Sequence, residues 1–361
     1  MSAEIPTDLD SLLDEQWVAE EDSLDYNSDS KVDPLDKIEV IQLEEGETDP
    51  RIKLLSHSSR TTLHRCPRKY QLYRLNSRIA DIEGDIELET KDTESKITFS
   101  YGSAVGVGVQ SALEGKTRDQ VILDTFLEWE TDLLAETPRQ KKSFWLAVFA
   151  VQKFIAMRNE GFLDEYSLVY YDGKPAIELP FQIILPNGYK YRGFVDAVLQ
   201  HKTTKEILVL ENKTTSHKTN SAQYKNSGQA LGYSVVLDKL FPELSSYVVL
   251  YMVYETISYK YVELPFTKSL YQRALWLQEL IIDIQTIELY ESYGVYPMHG
   301  ESCNDFFRPC EYLSLCTMHT DKLTKPLTKA VLNKIEEENE KYDFILDFYD
   351  LVNTQVAKAE E

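Results

Sequence analysis

The stretch Ile207-Leu-Val-Leu-Glu-Asn-Lys213 decides the fold of this chain of 361 residues. Its four leading apolar residues indicate a strand that is buried on both faces. Residues two apart in a strand point to the same side, so Glu211 and Lys213 share one face while Asn212 points to the other. A second strand-like stretch, Gly193-Phe-Val-Asp196, ends 15 residues before Glu211. If the two strands pair, the two carboxylates converge.

Two converging carboxylates predict a site for a hard divalent cation. Mg²⁺ prefers oxygen ligands and keeps several waters, so Asp196, Glu211 and the carbonyl of Asn212 would suffice with a phosphate. A bound ion lowers the pKa of its water and neutralises charge that develops on the phosphate. Lys213 would hold the attacking water or stabilise the transition state. A Glu-x-Lys pair alone is common on protein surfaces, but the buried strand before it favours phosphodiester hydrolysis.

The rest of the sequence predicts an α/β arrangement around this pair. We expect strands at residues 177–185, 189–199, 206–210, 246–253 and 257–264. We expect helices at residues 54–78, 102–113, 117–135, 141–160, 222–237, 268–291 and 327–355. Pro186-Asn187-Gly188 predicts a tight turn between the first two strands.

The net charge of −22 is concentrated at the two ends of the chain. Residues 1–50 carry 17 acids and 2 lysines, residues 335–361 carry 9 acids and 2 lysines, and residues 51–334 carry 34 acids and 34 bases. We therefore expect a largely disordered acidic tail (1–50), a folded domain (51–326) and an acidic C-terminal helix (327–361). Within the domain we expect a helical part (52–165), a catalytic sheet (166–265) and a helix with a cysteine loop (266–326). The acidic ends are either solvated tails or arms for a protein partner.

The chain contains no run of about 18 apolar residues, so no membrane helix is expected. Its start lacks the basic and apolar regions of a secretory signal. We therefore expect a cytoplasmic protein, in the host cytoplasm if a phage encodes it. In a reducing compartment, the four cysteines are more plausible as metal ligands or buried thiols than as disulfides. They are Cys66, Cys303, Cys310 and Cys316.

Three motifs together resemble the RecB-like branch of the PD-(D/E)XK nucleases. They are Gly193-Phe-Val-Asp196, Glu211-Asn-Lys213-Thr214 and Gln229-Ala-Leu-Gly-Tyr233. That branch includes the AddB nuclease domain, CRISPR-associated adaptation exonucleases and many phage exonucleases. The resemblance implies a restriction-endonuclease-like fold, in which helices flank a mixed central sheet, with a helical N-terminal part and a cysteine-bound C-terminal loop. It also implies Mg²⁺- or Mn²⁺-dependent exonucleolytic cleavage of DNA in recombination, repair or phage replication.

The resemblance also implies roles for single residues. Asp196 and Glu211 would bind the metal, and Lys213 would be catalytic. Gln229 and Tyr233, one helical turn apart, would orient the site and contact DNA.

Two further positions leave alternatives open. Glu178 matches a strand glutamate that is common upstream in such enzymes, and it is either a further metal ligand or a solvent-facing acid. Where the family often carries a histidine ligand, this chain has Gln110, four residues after Gly106. An amide is a poorer metal ligand than imidazole, and the glycines could serve only helix packing. The alternative function is therefore an inactive nuclease fold that binds DNA as a recombination accessory protein.

The same subgroup often encloses a [4Fe–4S] cluster with one early and three late cysteines. Cys66, in Cys-Pro-Arg-Lys-Tyr70, matches the context of the first ligand, and Cys303, Cys310 and Cys316 would complete the set. Four thiolates also suit structural Zn²⁺, and free buried thiols remain the plain alternative.

A basic stretch, residues 60–78, contains six Lys and Arg and no acid. Cations contact phosphates and aromatic rings stack on unpaired bases, which favours single-stranded or frayed DNA as the ligand. The predicted DNA-binding residues are Arg65, Arg68, Lys69, Tyr70 and Arg74. A solvated helix face is the alternative.

Overall fold

The structure, a computed structural model, describes residues 41–44, 47–75, 93–130, 142–244, 246–305, 308–317 and 326–360. Residues 1–40 of the predicted acidic tail lie outside these ranges. No helix within them is long and apolar enough to cross a membrane.

One mixed sheet forms the centre of the fold. The strands are β1 (Leu54–Ser56), β2 (Tyr166–Leu168), β3 (Tyr170–Tyr171), β4 (Lys174–Pro175), β5 (Ile177–Ile184), β6 (Lys190–His201), β7 (Ile207–Thr215), β8 (Tyr247–Glu255), β9 (Lys260–Lys268), β10 (Asn304–Asp305), β11 (Arg308–Pro309) and β12 (Phe344–Asp347). The order in the sheet is β12-β5-β6-β7-β8-β9, and β1 and β2 also pair with β6. β7 runs parallel to β8, β12 to β5 and β1 to β6, whereas the other pairs are antiparallel. The predicted turn at Pro186–Gly188 joins β5 to β6, with positive φ at Asn187 (57°) and Gly188 (75°).

The helices begin where the sequence provides caps and prolines. They are α1 (His57–Arg65), α2 (Pro67–Leu75), α3 (Thr93–Leu113), α4 (Arg118–Glu128), α5 (Phe144–Asn159), α6 (Ala222–Lys225), α7 (Gly228–Leu240), α8 (Leu270–Tyr293), α9 (Lys329–Asn339) and α10 (Phe348–Glu360). Ser56 caps α1 through its side chain and ends the short strand β1. The stretch predicted to be mostly helical from residue 54 therefore begins instead with a short strand, while the helix start or kink expected at Pro67 is present as the start of α2. The second break lies at Cys66, which is extended (φ −157°) because Pro67 disfavours a helical residue before it.

Helices cover both faces of the sheet. Ile207 and Val209 of β7 point into a core with α7, α8 and α10, whereas Leu208 and Leu210 point into a core with α3 and α5. This alternation explains why β7 begins as a continuous apolar run. The predicted fold class, a mixed central sheet flanked by helices, is confirmed.

The predicted single C-terminal helix is wrong. This segment forms α9, then β12, then α10. Phe344 and Leu346 are buried on alternate positions of β12, which pairs in parallel with β5. The sequence did not indicate this strand for two reasons. Its alternation of buried and exposed residues extends over only four positions, and acidic residues surround it. The C-terminal segment is thus part of the sheet and core rather than a free acidic arm.

Leu351→Ala on α10 is expected to lower the free energy of unfolding by about 2–5 kcal/mol, because it removes a fully buried side chain and leaves a cavity. Tyr349→Ala, at a side chain on the same helix that is 62% exposed, serves as the control and is expected to change it by less than about 0.5 kcal/mol. Denaturant unfolding measures both. Equal effects would mean that α10 does not belong to the core.

Candidate active site

Strands β6 and β7 diverge at the two predicted carboxylates. Their pairing ends at Ala197 and Leu210, so Asp196 and Glu211 are the next opposed residues. Beyond this point β7 continues along β8 to Thr215, whereas β6 pairs with β1. The backbone N–H of Asn212 donates to Oδ2 of Asp196 across the opening, at 3.1 Å. The structure thus brings Asp196 and Glu211 together at a gap in the sheet.

Lys213 lies on the same face of β7 as Glu211 and contacts it directly. Its Nζ is 2.5 Å from Oε1 of Glu211 and donates to Oε1 of Gln229 at 3.2 Å. Nε2 of Gln229 in turn donates to the hydroxyl of Tyr233 at 2.6 Å. Glu211 raises the pKa of Tyr233, second only to burial, so this hydroxyl lies close to the carboxylate. The four side chains form one connected polar group between β7 and α7.

The glycine of the Gln-Ala-Leu-Gly-Tyr motif brings α7 into this position. A Cβ at Gly232 would lie 2.9 Å from Cζ2 of Trp276 on α8, which is closer than side chains pack. Gly232 therefore lets α7 lie flat against α8, with Gln229 and Tyr233 turned toward β7. The helix predicted for residues 222–237 is also interrupted after Lys225, so α7 begins immediately before Gln229.

The site has an excess of buried negative charge. Glu211 is fully buried. Burial, and then the charges of Glu211 and Glu178, hold the pKa of Asp196 well above its usual range, although Lys213 opposes them. Burial disfavours the charge of Lys213, but Glu211 and Asp196 outweigh it and raise the pKa of Lys213. One ammonium thus faces more than one carboxylate, and a further cation would be stabilised here.

The oxygen atoms present fit a hard divalent ion. Neither carboxylate oxygen of Glu211 accepts a well-oriented hydrogen bond, although Nζ of Lys213 lies 2.5 Å from Oε1. The described residues hold no group of three or more His, Cys, Asp or Glu side chains placed to bind a metal. Asp196 and Glu211 nevertheless match the one or two carboxylates through which Mg²⁺ is commonly bound, with waters retained.

Glu178 lies on the other side of Asp196, at the rim of the site. Its neighbours pair with β6 on either side, and Glu178 has a φ of 47°, which is strained for a non-glycine residue. Its Oε1 accepts a hydrogen bond from Nε2 of Gln110 at 2.5 Å. Burial of the carboxyl raises the pKa of Glu178 more than this bond lowers it, and Glu211 adds to the rise. Although Glu178 as a residue is exposed, its carboxyl therefore belongs to the charged cluster, with Gln110 as its partner.

The glycines before Gln110 keep one face of α3 open above β7. A Cβ at Gly106 would lie 4.0 Å from Nδ2 of Asn212, and a Cβ at Gly102 would lie 3.7 Å from Oγ1 of Thr214. Neither contact is tight, so these two glycines are not required for close packing. Gly108, in contrast, is required for close packing, because a Cβ at this position would lie 2.4 Å from Cγ2 of Val151. The packing alternative thus holds for Gly108, on the opposite face.

A cavity of about 1160 Å³ opens beside Lys213 and runs toward the cysteine loop. Arg65, Lys69 and Lys142 line it together with Lys213. Lys69 also pairs with Glu311, at 3.4 Å. The cavity is large, and its four basic side chains outnumber its two acidic ones, Glu301 and Glu311, which favours a path for a polyanion.

Three of the five residues predicted to bind DNA lie elsewhere. Tyr70 is fully buried and its hydroxyl donates to a backbone carbonyl at 2.7 Å, so it cannot stack on a base. Arg68 is buried and donates to Gln71 at 2.5 Å. Arg74 donates to two backbone carbonyls before α1. The prediction is wrong for these three because most of α2 packs into the core, and only Arg65 and Lys69 reach the cavity.

The cysteines from the two ends of the chain meet in space. Cys66 is buried between α1 and α2, and Cys303, Cys310 and Cys316 are partly buried in the loop that packs on it. Ser302 of that loop donates to the carbonyl of Arg65 at 2.7 Å. Burial, then Cys310 and Cys66, raises the pKa of Cys316, with a smaller contribution from Cys303. Four thiols thus lie in one region, although they are not arranged as a ligand set.

His57 is a residue near the site to which sequence reasoning assigned no role. It begins α1, and burial, followed by Lys213 and Arg60, lowers its pKa to about 4. Its imidazole is therefore neutral near pH 7 and lies close to Lys213. Nothing in the local sequence signals this, because 156 residues separate the two side chains along the chain.

Of three comparisons with known proteins, one identifies the family of this chain. No match was found among curated proteins. A solved structure from Eubacterium rectale, described as a candidate exonuclease, is 15% identical, with a TM-score of 0.40 over 77% of this chain and 100% of that chain. A likeness at that level carries no argument about function. The family model of the PD-(D/E)XK nuclease superfamily, however, matches residues 54–317, which include Asp196, Glu211 and Lys213. The chain therefore belongs to the PD-(D/E)XK nuclease superfamily.

Proposed function

We propose that the protein is a Mg²⁺- or Mn²⁺-dependent deoxyribonuclease of the RecB-like branch. It would act as an exonuclease on DNA in recombination, repair or phage replication. The observation that supports this best is the opposition of Asp196 and Glu211 where β6 and β7 diverge, with Lys213 2.5 Å from Glu211. Carboxylates and an amine around a gap beside a cationic cavity suit hydrolysis of a phosphodiester.

Each residue of the cluster then has a role. Asp196 and Glu211 would hold the ion, with the Asn212 carbonyl and Glu178 as further oxygen ligands. When bound, the ion lowers the pKa of a water and offsets the charge of the phosphate. Lys213 lines the cavity as well as contacting Glu211, so its ammonium can reach a phosphate oxygen or the attacking water.

The groups of the cluster are positioned by three neighbouring side chains, Gln229, Tyr233 and Gln110. Gln229 accepts a hydrogen bond from Lys213 and donates one to Tyr233, which fixes the direction of the ammonium. Gln110 holds the carboxyl of Glu178. In this assignment Gln110 acts through Glu178 and is not itself a metal ligand.

The direct test is cleavage of labelled linear DNA by the purified protein. We expect products with Mg²⁺ or Mn²⁺ and none when a chelator is added. Single nucleotides released from an end would support an exonuclease, whereas internal fragments from a circular strand would indicate an endonuclease. DNA binding without any metal-dependent cutting would favour the inactive accessory protein.

We also propose that Cys66, Cys303, Cys310 and Cys316 hold a [4Fe–4S] cluster, with structural Zn²⁺ as the alternative. Their proximity supports this, as does the chemistry of four thiolates, which both groups accept. The group would join the α1–α2 junction to the loop near Cys310, on one side of the cavity. Its role would be structural.

Protein purified without air is expected to be brown, with absorbance at about 400 nm. Cys66→Ser should remove this absorbance, because it removes one of four ligands. Ser302→Ala is the control, because Ser302 contacts the carbonyl of Arg65, next to Cys66, but supplies no thiolate. Iron and zinc are measured on both samples. A colourless wild-type protein with one zinc per chain would overturn the cluster in favour of zinc, and absence of both metals would leave free thiols.

A further inference from the structure

Phe99 is an apolar side chain in a cavity that is otherwise largely polar. It is 78% exposed, and it lines the cavity of about 1160 Å³ beside Lys213. Half of the other lining residues carry hydroxyl or ammonium groups, among them Thr98, Ser103, Thr214, Thr215 and Lys142, and Glu301 and Glu311 add two carboxylates. Single exposed apolar side chains are ordinary on protein surfaces. Phe99 differs because it lines the same cavity as Lys213, where a bound nucleotide chain would contact it.

The position of Phe99 follows from the open face of α3. Phe99, Gly102 and Gly106 lie on that face at helical spacing. Gly106 lies over Asn212 and Gly102 lies over Thr214. Phe99 is seven residues before Gly106, which is about 10 Å along the helix axis. Between Phe99 and Gly106 this face carries only Gly102 and the small side chain of Ser103, so no large side chain separates Phe99 from the end of β7.

An aromatic ring among cations recognises an unpaired nucleotide chain. Arg65, Lys69 and Lys142 attract phosphates of any nucleic acid, but they do not distinguish single strands from duplexes. A phenyl ring stacks on a base only when the face of that base is free, and in a duplex both faces are already stacked. Because phenylalanine has no hydrogen-bonding group, such a contact accepts any base.

We propose that Phe99 stacks on an unpaired base of the strand that is cut, and that the cavity therefore takes single-stranded DNA or a frayed end. This inference rests on the proposed nuclease function and adds to it the residue that selects the unpaired strand. Phe99 is a specificity residue and takes no part in the hydrolysis, since its side chain has no acid, base or ligand atom and its position on α3 is about 10 Å along the helix axis from Gly106.

Binding and cleavage are compared in wild type, Phe99→Ala, Phe99→Trp and Tyr271→Ala. Tyr271 is the matched control, because it is 76% exposed and lines a different cavity, beside α10. We expect Phe99→Ala to weaken binding of a labelled thymidine oligonucleotide about tenfold, and Phe99→Trp to restore it. KM should rise by a similar factor while kcat changes less than about twofold, because binding is lost and the chemical step is not. Wild type and Phe99→Ala should bind blunt duplex DNA equally.

An abasic site placed at successive positions of the oligonucleotide tests the stacking itself. In wild type, one position should lower binding about tenfold, whereas Phe99→Ala should show no further loss there, because base and ring act as a pair. Equal losses in both proteins, or equal effects of Phe99→Ala and Tyr271→Ala, would overturn the proposal. Binding is measured without cutting, so an inactive protein that shows this pairing would refute the nuclease activity and keep the stacking. A wild type that does not bind single strands refutes the stacking whatever its activity on duplexes.

Discussion

Lys213→Ala is expected to lower the rate of DNA cleavage by about 100- to 1000-fold at saturating Mg²⁺. The ammonium is the one cation in contact with Glu211 among the described side chains, at 2.5 Å, and it also lines the cavity where the phosphate would lie. The substitution removes the ammonium charge that would stabilise the transition state, while Asp196 and Glu211 remain in place. Initial rates on labelled DNA, at several metal concentrations, measure the effect. More metal should not restore the rate, because the lost group is not a ligand.

The control for this variant is Lys174→Ala, which removes the same charge from a side chain that is 78% exposed on the β3–β4 hairpin, where it pairs with Asp343. It should cut like wild type. Lys213→Ala also leaves Glu211 buried without its ion pair, which destabilises the fold. Lys213→Ala combined with Glu211→Gln removes that unpaired charge, so the double variant should regain stability without regaining activity. Wild-type cleavage by a folded Lys213→Ala protein would refute the catalytic assignment.

Asp196→Asn is expected to abolish cleavage, by at least about 100-fold, and yet to raise the melting temperature. Burial and the neighbouring carboxylates raise the pKa of Asp196 above its value in the unfolded chain. For an acid with a raised folded pKa, stability is greatest at low pH and falls as pH rises from the unfolded pKa, near 3.9, through the folded pKa. At neutral pH the charged carboxylate therefore lowers the stability of the folded protein. The uncharged amide removes this cost and can still accept the hydrogen bond from Asn212.

Thermal melts with and without Mn²⁺ measure the stability effect. Each kcal/mol gained should raise the melting temperature by about 1–2 °C in a chain of this length, because the unfolding entropy grows with the number of residues. Wild type should be further stabilised by Mn²⁺, since an ion that binds only the folded state shifts the equilibrium. The Asp196→Asn variant should respond much less. Asp164→Asn, at a carboxyl that is 65% exposed, is the control and should change neither quantity. A lower melting temperature for Asp196→Asn, at neutral pH, would contradict the raised pKa.

The sequence predicted the parts of the site that depend on local order. The continuous apolar run before Glu211 predicts a buried strand, and the period of two places Lys213 beside Glu211. The tight turn at Pro186–Gly188 predicts antiparallel pairing of β5 and β6, which sets the position of Asp196. Each of these inferences needs only neighbouring residues and the geometry of a strand.

Other features were not predictable in this way. Tyr70 and Arg68 are buried because the face of α2 that carries them packs against the core. The basic composition of this stretch does not indicate which face of the helix is buried. Likewise β12 is only four residues long, so its alternation is hidden by the acidic residues around it. His57 approaches Lys213 only because α1 and β7 meet in space.

The sequence by itself thus determined the mixed α/β class and the common strand face of Glu211 and Lys213, and it predicted the convergence of Asp196 and Glu211. Only the tertiary structure decided where β6 and β7 diverge, which basic residues face the cavity and that Phe99 lines it. The physical reason is the range of the interactions. Backbone geometry and side-chain period act over a few residues, whereas burial and charge depend on packing between segments that are far apart in the chain.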